Sequence, residues 1–322
     1  MTRRALVTGG TGFVGQWLVR SLLADEWTVF AAAAHPLPVR SDVLAASDRR
    51  RVRWLETDVR RTDDVRRAVD ASLPDAVFHL AGITYVPEAN EAPEAAYDVN
   101  VLGAVRLLCE LAGRRRAGAL DPTILIVGSG TQYGRHESAE MPLTESAPQR
   151  PLGIYGASKA AQELAALQMQ RADGLRLVCV RSFNHSGPGH AAHFLLPALV
   201  QRVLALRDRP SPTLRLGNQG SVRDYLHVSD VVAAYRLLSE RGNPGEVYNV
   251  CSGEGVSVRQ LAEDVLLRVG IAADISTDPE LVRADDVPVL VGSPAKLQRD
   301  TGWQPARTRT DIIDDLIHAA TY

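Results

Sequence analysis

A tyrosine and a lysine stand four residues apart in Tyr155-Gly-Ala-Ser-Lys159, at the start of a segment whose apolar spacing predicts a helix from Tyr155 to Arg171. That spacing puts both side chains on one helix face. An ammonium close to a phenol stabilises the phenolate and lowers its pKa from about 10. A tyrosine so placed can trade a proton with an alcohol or a ketone near neutral pH. Ser129, in Val127-Gly128-Ser129-Gly130, lies just past a predicted strand. Carboxyl ends of strands are where doubly wound folds bind ligands, so its hydroxyl is a candidate to hydrogen-bond the same reacting oxygen. Alone, each residue has a plainer reading, as an ordinary surface pair and a turn serine. Together they read as a catalytic trio for alcohol–ketone redox chemistry.

Such chemistry needs a carrier of electrons, and the start of the chain holds a cradle for one. A predicted strand, Ala5-Leu6-Val7-Thr8, runs into Gly9-Gly10-Thr11-Gly12-Phe13-Val14-Gly15 and then a predicted helix. Glycines at 9, 12 and 15 suit a tight turn, a close backbone approach to pyrophosphate and close helix–strand packing. The helix N-terminus then offers free N–H groups to the phosphates. Gly9, Thr11, Gly12, Phe13 and Val14 are the candidate contacts; a glycine-rich turn without a ligand is the alternative. Asp58, with Val59, follows the third predicted strand, where a carboxylate can meet an adenine amino group or be a plain turn residue. Leu80-Ala81-Gly82 ends the fourth with small residues that let a cofactor lie close. Asn100 opens a predicted helix, as a further contact or only its N-cap. The second strand ends Ala31-Ala32-Ala33-Ala34-His35 with no acid for a ribose hydroxyl. That favours NADPH over NADH, with His35 or Arg40 available for the extra phosphate.

Around these residues, strand-length apolar runs (29–34, 52–55, 76–80, 123–127, 175–180) alternate with helical spacings at 15–24, 65–71, 101–113 and 155–171. The alternation predicts an α/β fold, a doubly wound parallel (Rossmann) sheet covered on both faces. Beyond Arg181 the pattern loosens: 184–188 reads as loop, 194–206 as helix and 214–217 as a short strand. The expected division is a dinucleotide-binding domain of residues 1–181 plus about 225–262. A smaller C-terminal substrate-binding region would take about 182–224 plus 263–322.

The 322 residues carry a net charge of -2, with 45% hydrophobic and 23% charged side chains, an ordinary globular balance. Near-neutrality argues against nucleic-acid binding, and the clusters Arg49–Arg51 and Arg114–Arg116 read as solvated surface. Cys109, Cys179 and Cys251 are widely spaced and form no disulfide framework or zinc site; Cys109 and Cys179 read as core. With no signal peptide and no membrane-spanning run, a cytoplasmic protein is expected.

The glycine pattern, Ser129, Tyr155 and Lys159 resemble the extended short-chain dehydrogenase/reductase family over essentially the whole chain. Arg181-Ser-Phe-Asn184-His-Ser-Gly-Pro-Gly189, Val222-Arg223-Asp224-Tyr225 and Arg283-Ala-Asp-Asp286-Val-Pro288 are most similar to its nucleotide-sugar enzymes acting on GDP-mannose derivatives. The resemblance implies Asn184 near a sugar diphosphate, Arg223 and Arg283 on phosphates, and Asp286 on the guanosine ribose. Arg223-Asp224 as a structural ion pair and Arg283 as a loop charge are the alternatives. Related 4,6-dehydratases carry a glutamate two positions after the catalytic Ser/Thr; here that position is Thr131, with Gly130 between. Glu137, Glu140 and Glu145 follow in a polar loop and read as solvated. The departure favours a 4-ketoreductase acting on GDP-4-keto-6-deoxy-mannose, yielding GDP-rhamnose or GDP-6-deoxy-talose. A related epimerase or dehydratase, or a non-catalytic dinucleotide sensor, is the alternative. The resemblance also implies a homodimer formed through helices 101–113 and 155–171 and a GDP-sugar as partner; no metal is expected.

Overall fold

The computed structural model describes residues 2–34, 43–207, 209–282 and 286–321. The first half alternates strand and helix: β1 (Arg4–Thr8), α1 (Phe13–Ala24), β2 (Thr28–Ala33), α2 (Ala46–Arg51), β3 (Arg53–Glu56), α3 (Thr62–Ser72) and β4 (Ala76–His79). Next come α4 (Val86–Glu91), α5 (Pro93–Tyr97), α6 (Gly103–Arg116), β5 (Thr123–Ser129), α7 (Ile154–Asp173) and β6 (Arg176–Ser182). The second half holds β7 (Asn184–Ser186), α8 (Leu195–Leu204), β8 (Thr213–Leu216), β9 (Val222–His227), α9 (Val228–Arg241), β10 (Val247–Val250) and β11 (Gly255–Ser257). It closes with α10 (Val258–Val269), β12 (Asp274–Thr277), β13 (Val289–Leu290), α11 (Ala295–Thr301) and α12 (Arg309–Thr321).

Seven parallel strands pair in the order β10-β6-β5-β4-β1-β2-β3, the doubly wound sheet that the alternation predicts. Successive strand residues face opposite sides, so the sheet feeds two cores. Ala5 and Val7 of β1 join Leu18 and Leu22 of α1 and Val231, Tyr235 and Leu238 of α9. Leu6 between them joins Val65 and Val69 of α3 and Leu107, Leu108 and Leu111 of α6 on the other side. The seventh strand, β10, escapes the sequence pattern: its short run Val247-Tyr-Asn-Val250 includes the buried polar Asn249.

A separate core gathers α8, α10 and α12 around β8, through Leu199, Val203, Leu214, Leu261, Val265 and Ile312. The smaller sheet β11-β9-β13 lies beside the large one. Residues 184–188 are not all loop, as expected from sequence. Asn184–Ser186 is extended because it pairs in parallel with Tyr225–His227 of β9, a partner about forty residues away in the chain that local pattern cannot reveal. Cys109 is also misread by pattern. It is exposed, because α6 buries Leu107, Leu108, Leu111 and Ala112 and turns residue 109 outward; Cys179 and Cys251 are buried.

The cluster 114–116 is neutralised locally, Arg114 by Glu110 and Asp70, Arg115 by Asp121 and Arg116 by Asp173, and in the other cluster Arg51 pairs with Asp48. Among the described residues no helix is long and apolar enough to cross a membrane.

Gly15 of α1 lies against the loop that precedes it. A Cβ there would run into the Gly9 carbonyl and come within 2.9 Å of Gly10 Cα. Backbone cannot yield as a flexible side chain does. Gly15→Ala is therefore expected to lower the urea midpoint, at a cost of about 1–3 kcal/mol, with helix content unchanged by circular dichroism.

Candidate active site

The turn after β1 is built by close backbone approach. Gly9 has φ +69, and a Cβ there would sit 2.8 Å from Ala81 N. The two stretches expected to hold a dinucleotide, 9–14 and 80–82, therefore touch. Thr8 Oγ1 ties them further, accepting from Ala81 N at 3.3 Å and bonding His79 Nδ1 at 2.8 Å. Gly12 N donates to Gly9 O at 3.0 Å, and Gly12 then opens α1 with no side chain capping it. A helix end left uncapped at an exposed glycine fits an anionic diphosphate. Phe13 begins the helix and stacks on His190, with centroids 4.4 Å apart; His190 stacks in turn on Phe194. Nothing in the sequence pairs these rings. Burial, with repulsion from His185 and His193, pushes His190 down to about 3, so the stack is uncharged.

Asp58 is engaged by Arg60, whose Nη2 donates at 2.7 Å; that bond outweighs burial and holds the carboxyl below its usual range. Val59 is buried against Gly103. Asn100 does not start a helix and is no N-cap. It lies within the π-turn Asp98–Leu102, fully buried, where its amide spans Ile83 N (2.8 Å), Ile83 O (3.1 Å) and Ser158 Oγ (2.9 Å). It fastens the 80–83 segment to α7. Gly82 completes that contact, since a Cβ there would lie 2.9 Å from Asn100 Oδ1 and 3.3 Å from Lys159 Nζ. His35 and Arg40, the residues singled out for an extra phosphate, lie outside the described residues.

The trio is brought together. Ser129 closes β5, while Tyr155 and Lys159 lie in the first turns of α7. The Ser129 hydroxyl lies close enough to the Tyr155 phenol to oppose the rise in its pKa. Ser129 Oγ also accepts from Thr131 N at 3.2 Å and Thr131 Oγ1 at 2.9 Å, which leaves its own proton for Tyr155. Thr131 thus serves as a donor to the serine, a role its position did not reveal.

The expected influence of Lys159 on Tyr155 is not observed. Burial raises the phenol above its ordinary value, and the opposing influence is the Ser129 hydrogen bond. Lys159 Nζ donates instead to Val127 O at 2.8 Å and Gln162 Oε1 at 3.0 Å, and burial lowers its own pKa from 10.5 to about 7.

On the substrate side, Asn184 is hydrogen-bonded to Tyr225, whose phenol burial pushes up to about 12. Arg223 does not pair with its neighbour Asp224. Its Nη2 pairs with Asp286, which Ser221 Oγ also reaches. Asp224 instead accepts from Ser252 N at 2.8 Å and Gly253 N at 2.9 Å, and burial raises it to about 6. Two residues expected on linked parts of one ligand, the diphosphate and the ribose, are therefore adjacent. Arg283 lies outside the described residues. Glu145 is not simply solvated: its Oε1 accepts from Asn249 N at 2.8 Å. Glu140, itself exposed, pairs with the buried imidazole of His136.

The profile of the family described as GDP-mannose 4,6 dehydratase matches residues 6–316. The chain belongs to that family, a nucleotide-sugar branch of the extended short-chain dehydrogenases/reductases. It is 36% identical over 309 residues to GDP-6-deoxy-D-mannose reductase of Pseudomonas aeruginosa, covering 96% of this chain and 94% of that one. It is 30% identical to GDP-6-deoxy-D-talose 4-dehydrogenase of Aggregatibacter actinomycetemcomitans, covering 91% and 90%. The solved NADPH complex of RMD from Pseudomonas aeruginosa superposes with TM-score 0.81 at 31% identity, covering 98% of both chains. UDP-glucose 4-epimerase of Thermus thermophilus with NAD superposes with TM-score 0.84 at 30% identity, again covering 98% of each. The uncapped glycine cradle at α1 fits the diphosphate of such a dinucleotide.

Lys159 should make folding pH-dependent. Its folded pKa, about 7, lies below the ordinary 10.5, so between those values the unfolded chain holds a proton that the native chain has released. Stability from this group therefore rises with pH across that window and is lowest below about 7. Lys159→Met should flatten the rise, measured by urea unfolding at about pH 7, 8 and 9.

Proposed function

We propose that the protein reduces the 4-keto group of GDP-4-keto-6-deoxy-mannose to a GDP-6-deoxyhexose. The cofactor is NADPH or NADH, with NADPH favoured. The observation that carries this reading is Thr131, which stands where a dehydratase holds its second acid/base and donates to Ser129 instead. Without a carboxylate there, removal of a proton from carbon 5 and loss of the carbon 6 hydroxyl have no agent. Ketone reduction needs one proton donor only.

Gly9, Thr11, Gly12, Phe13 and Val14 would hold the cofactor diphosphate, and Lys159, beside Gly82, the nicotinamide ribose. The bound cofactor supplies the hydride that reduces carbon 4. Ser129 would turn its one hydroxyl proton from the Tyr155 phenol to the substrate carbonyl oxygen, which it thereby orients. Tyr155 releases its proton to the alkoxide as charge develops. Its raised pKa is compatible with that task, because it keeps the phenol protonated until the alkoxide forms. Arg223 would turn from Asp286 to the substrate diphosphate, leaving Asp286 free for the ribose; Asn184 would contact the same diphosphate.

The relatives' names support both configurations at carbon 4, a 6-deoxy-mannose (rhamnose) and a 6-deoxy-talose. The epimerase likeness keeps a second reading open, in which the cofactor is recycled in place. Incubation with GDP-4-keto-6-deoxy-mannose and each reduced cofactor, followed by NMR of the sugar, distinguishes them. Net cofactor oxidation with a reduced carbon 4 supports the reductase, and turnover without net oxidation refutes it. Tyr155→Phe should cut kcat about 10²- to 10⁴-fold while cofactor Kd stays nearly constant.

A homodimer in the cytoplasm completes the proposal. Leu102, before α6, and Leu164, on α7, are 48% and 68% exposed on the helices expected to meet a second copy. The free thiols Cys109, Cys179 and Cys251 suit a reducing compartment. Leu164→Arg should shift the protein from dimer to monomer in sedimentation velocity.

A further inference from the structure

Beneath Ser129 runs a chain of polar side chains, buried at Gln132, Glu163 and Arg181 and half-buried at its edge at Gln149 and Glu145. Ser129 N donates to Gln132 Oε1 at 2.7 Å. Gln132 Nε2 donates to Glu163 Oε2 at 3.0 Å and to Gln149 Oε1 at 3.2 Å. Glu163 takes both arms of the Arg181 guanidinium, Nε at 2.9 Å and Nη2 at 2.7 Å. Arg181 Nη1 continues to Glu145 O at 3.0 Å, and the guanidinium lies 4.8 Å from the centre of the Tyr133 ring. Gln132, Glu163 and Arg181 are 0%, 4% and 4% exposed.

These residues come from the three elements that frame the trio. Gln132 lies in the turn that Ser129 caps, Glu163 one helical turn past Lys159 in α7, and Arg181 in β6, the strand beside β5. A buried ion pair survives only when its remaining lone pairs and protons are satisfied, and a satisfied one enforces a single arrangement. Residue 132 must therefore accept from Ser129 N–H and donate to Glu163 at once. A glutamine amide does both. Leucine does neither, and ionised glutamate cannot donate. Gly128 is bare where a Cβ would strike the Gln132 amide, so the strand leaves room for this side chain.

We infer that Gln132 is a positioning residue that locks the Ser129 backbone to the Glu163–Arg181 pair, so that the Ser129 hydroxyl stays aimed at Tyr155. The inference rests on reading Ser129 and Tyr155 as catalytic, and goes beyond it by placing their alignment in a residue that touches neither substrate nor cofactor.

A double-mutant cycle tests it. Gln132→Leu should lower kcat/KM about tenfold, mostly in kcat, with cofactor Kd unchanged. In a Ser129→Ala background the same change should cost little, because its effect passes through Ser129. Additive losses, or an unaffected Gln132→Leu enzyme, overturn the inference. If Gln132→Leu does not fold, Gln132→Glu decides the matter. Its carboxylate would face Glu163 across a shared proton, with Arg181 the nearest cation and Tyr133 and Glu145 the other titratable neighbours. Its activity relative to wild type should fall as pH rises; a pH-independent ratio contradicts the inference. A readout without substrate separates this from the proposed function. Ultraviolet difference titration against Tyr155→Phe reports the Tyr155 phenol, whose pKa should move upward in a folded Gln132 variant as the Ser129 bond loosens. An unmoved phenol overturns the inference even if the sugar substrate is a different one.

Discussion

Parallel strands must finish together. Because β1, β4, β5 and β6 run side by side in one direction, their carboxyl ends open on a single edge. Thr8 stands beside His79, and Ser129 beside Ser182. The residues that follow, Gly9, Leu80–Gly82, Gly130–Thr131 and Asn184, come from distant parts of the chain yet gather at that edge. The site follows from this constraint, and so does the need for glycine, since loops leaving adjacent strands only about 4.7–4.9 Å apart must pass one another closely.

Beneath that edge lie polar groups that water does not reach, and desolvation sets their chemistry. It lowers Lys159 to about 7 and His79 to about 3, and raises the Tyr155 phenol. The ion pair of Glu163 and Arg181 persists there because Gln132, Gln149 and the Glu145 carbonyl satisfy the remaining hydrogen bonds. Arg223 and Ser221 both bond Asp286, and each of the three is a group that a diphosphate or a ribose can displace.

Much of the fold and the chemistry was legible in the residues themselves. The alternation of apolar periods specified a parallel sheet. The glycines at 9, 12 and 15, Ser129, and the Tyr155–Lys159 spacing pointed to a dinucleotide and a proton donor. These signals are local, because side chains four apart on a helix and glycines in one turn owe their relation to the backbone alone. The profile match and the two GDP-sugar relatives agree with that reading.

Only the tertiary structure decided the rest. β7 is a strand because β9 lies alongside it, Asn100 is a latch because Ile83 and Ser158 flank it, and Cys109 is exposed because α6 buries its other face. The direction of the Tyr155 shift depends on burial, and the task of Gln132 on Glu163 and Arg181, 31 and 49 residues further along the chain. Hydrogen bonds across such separations, and the loss of water that strengthens them, arise from packing and leave no periodicity in the sequence.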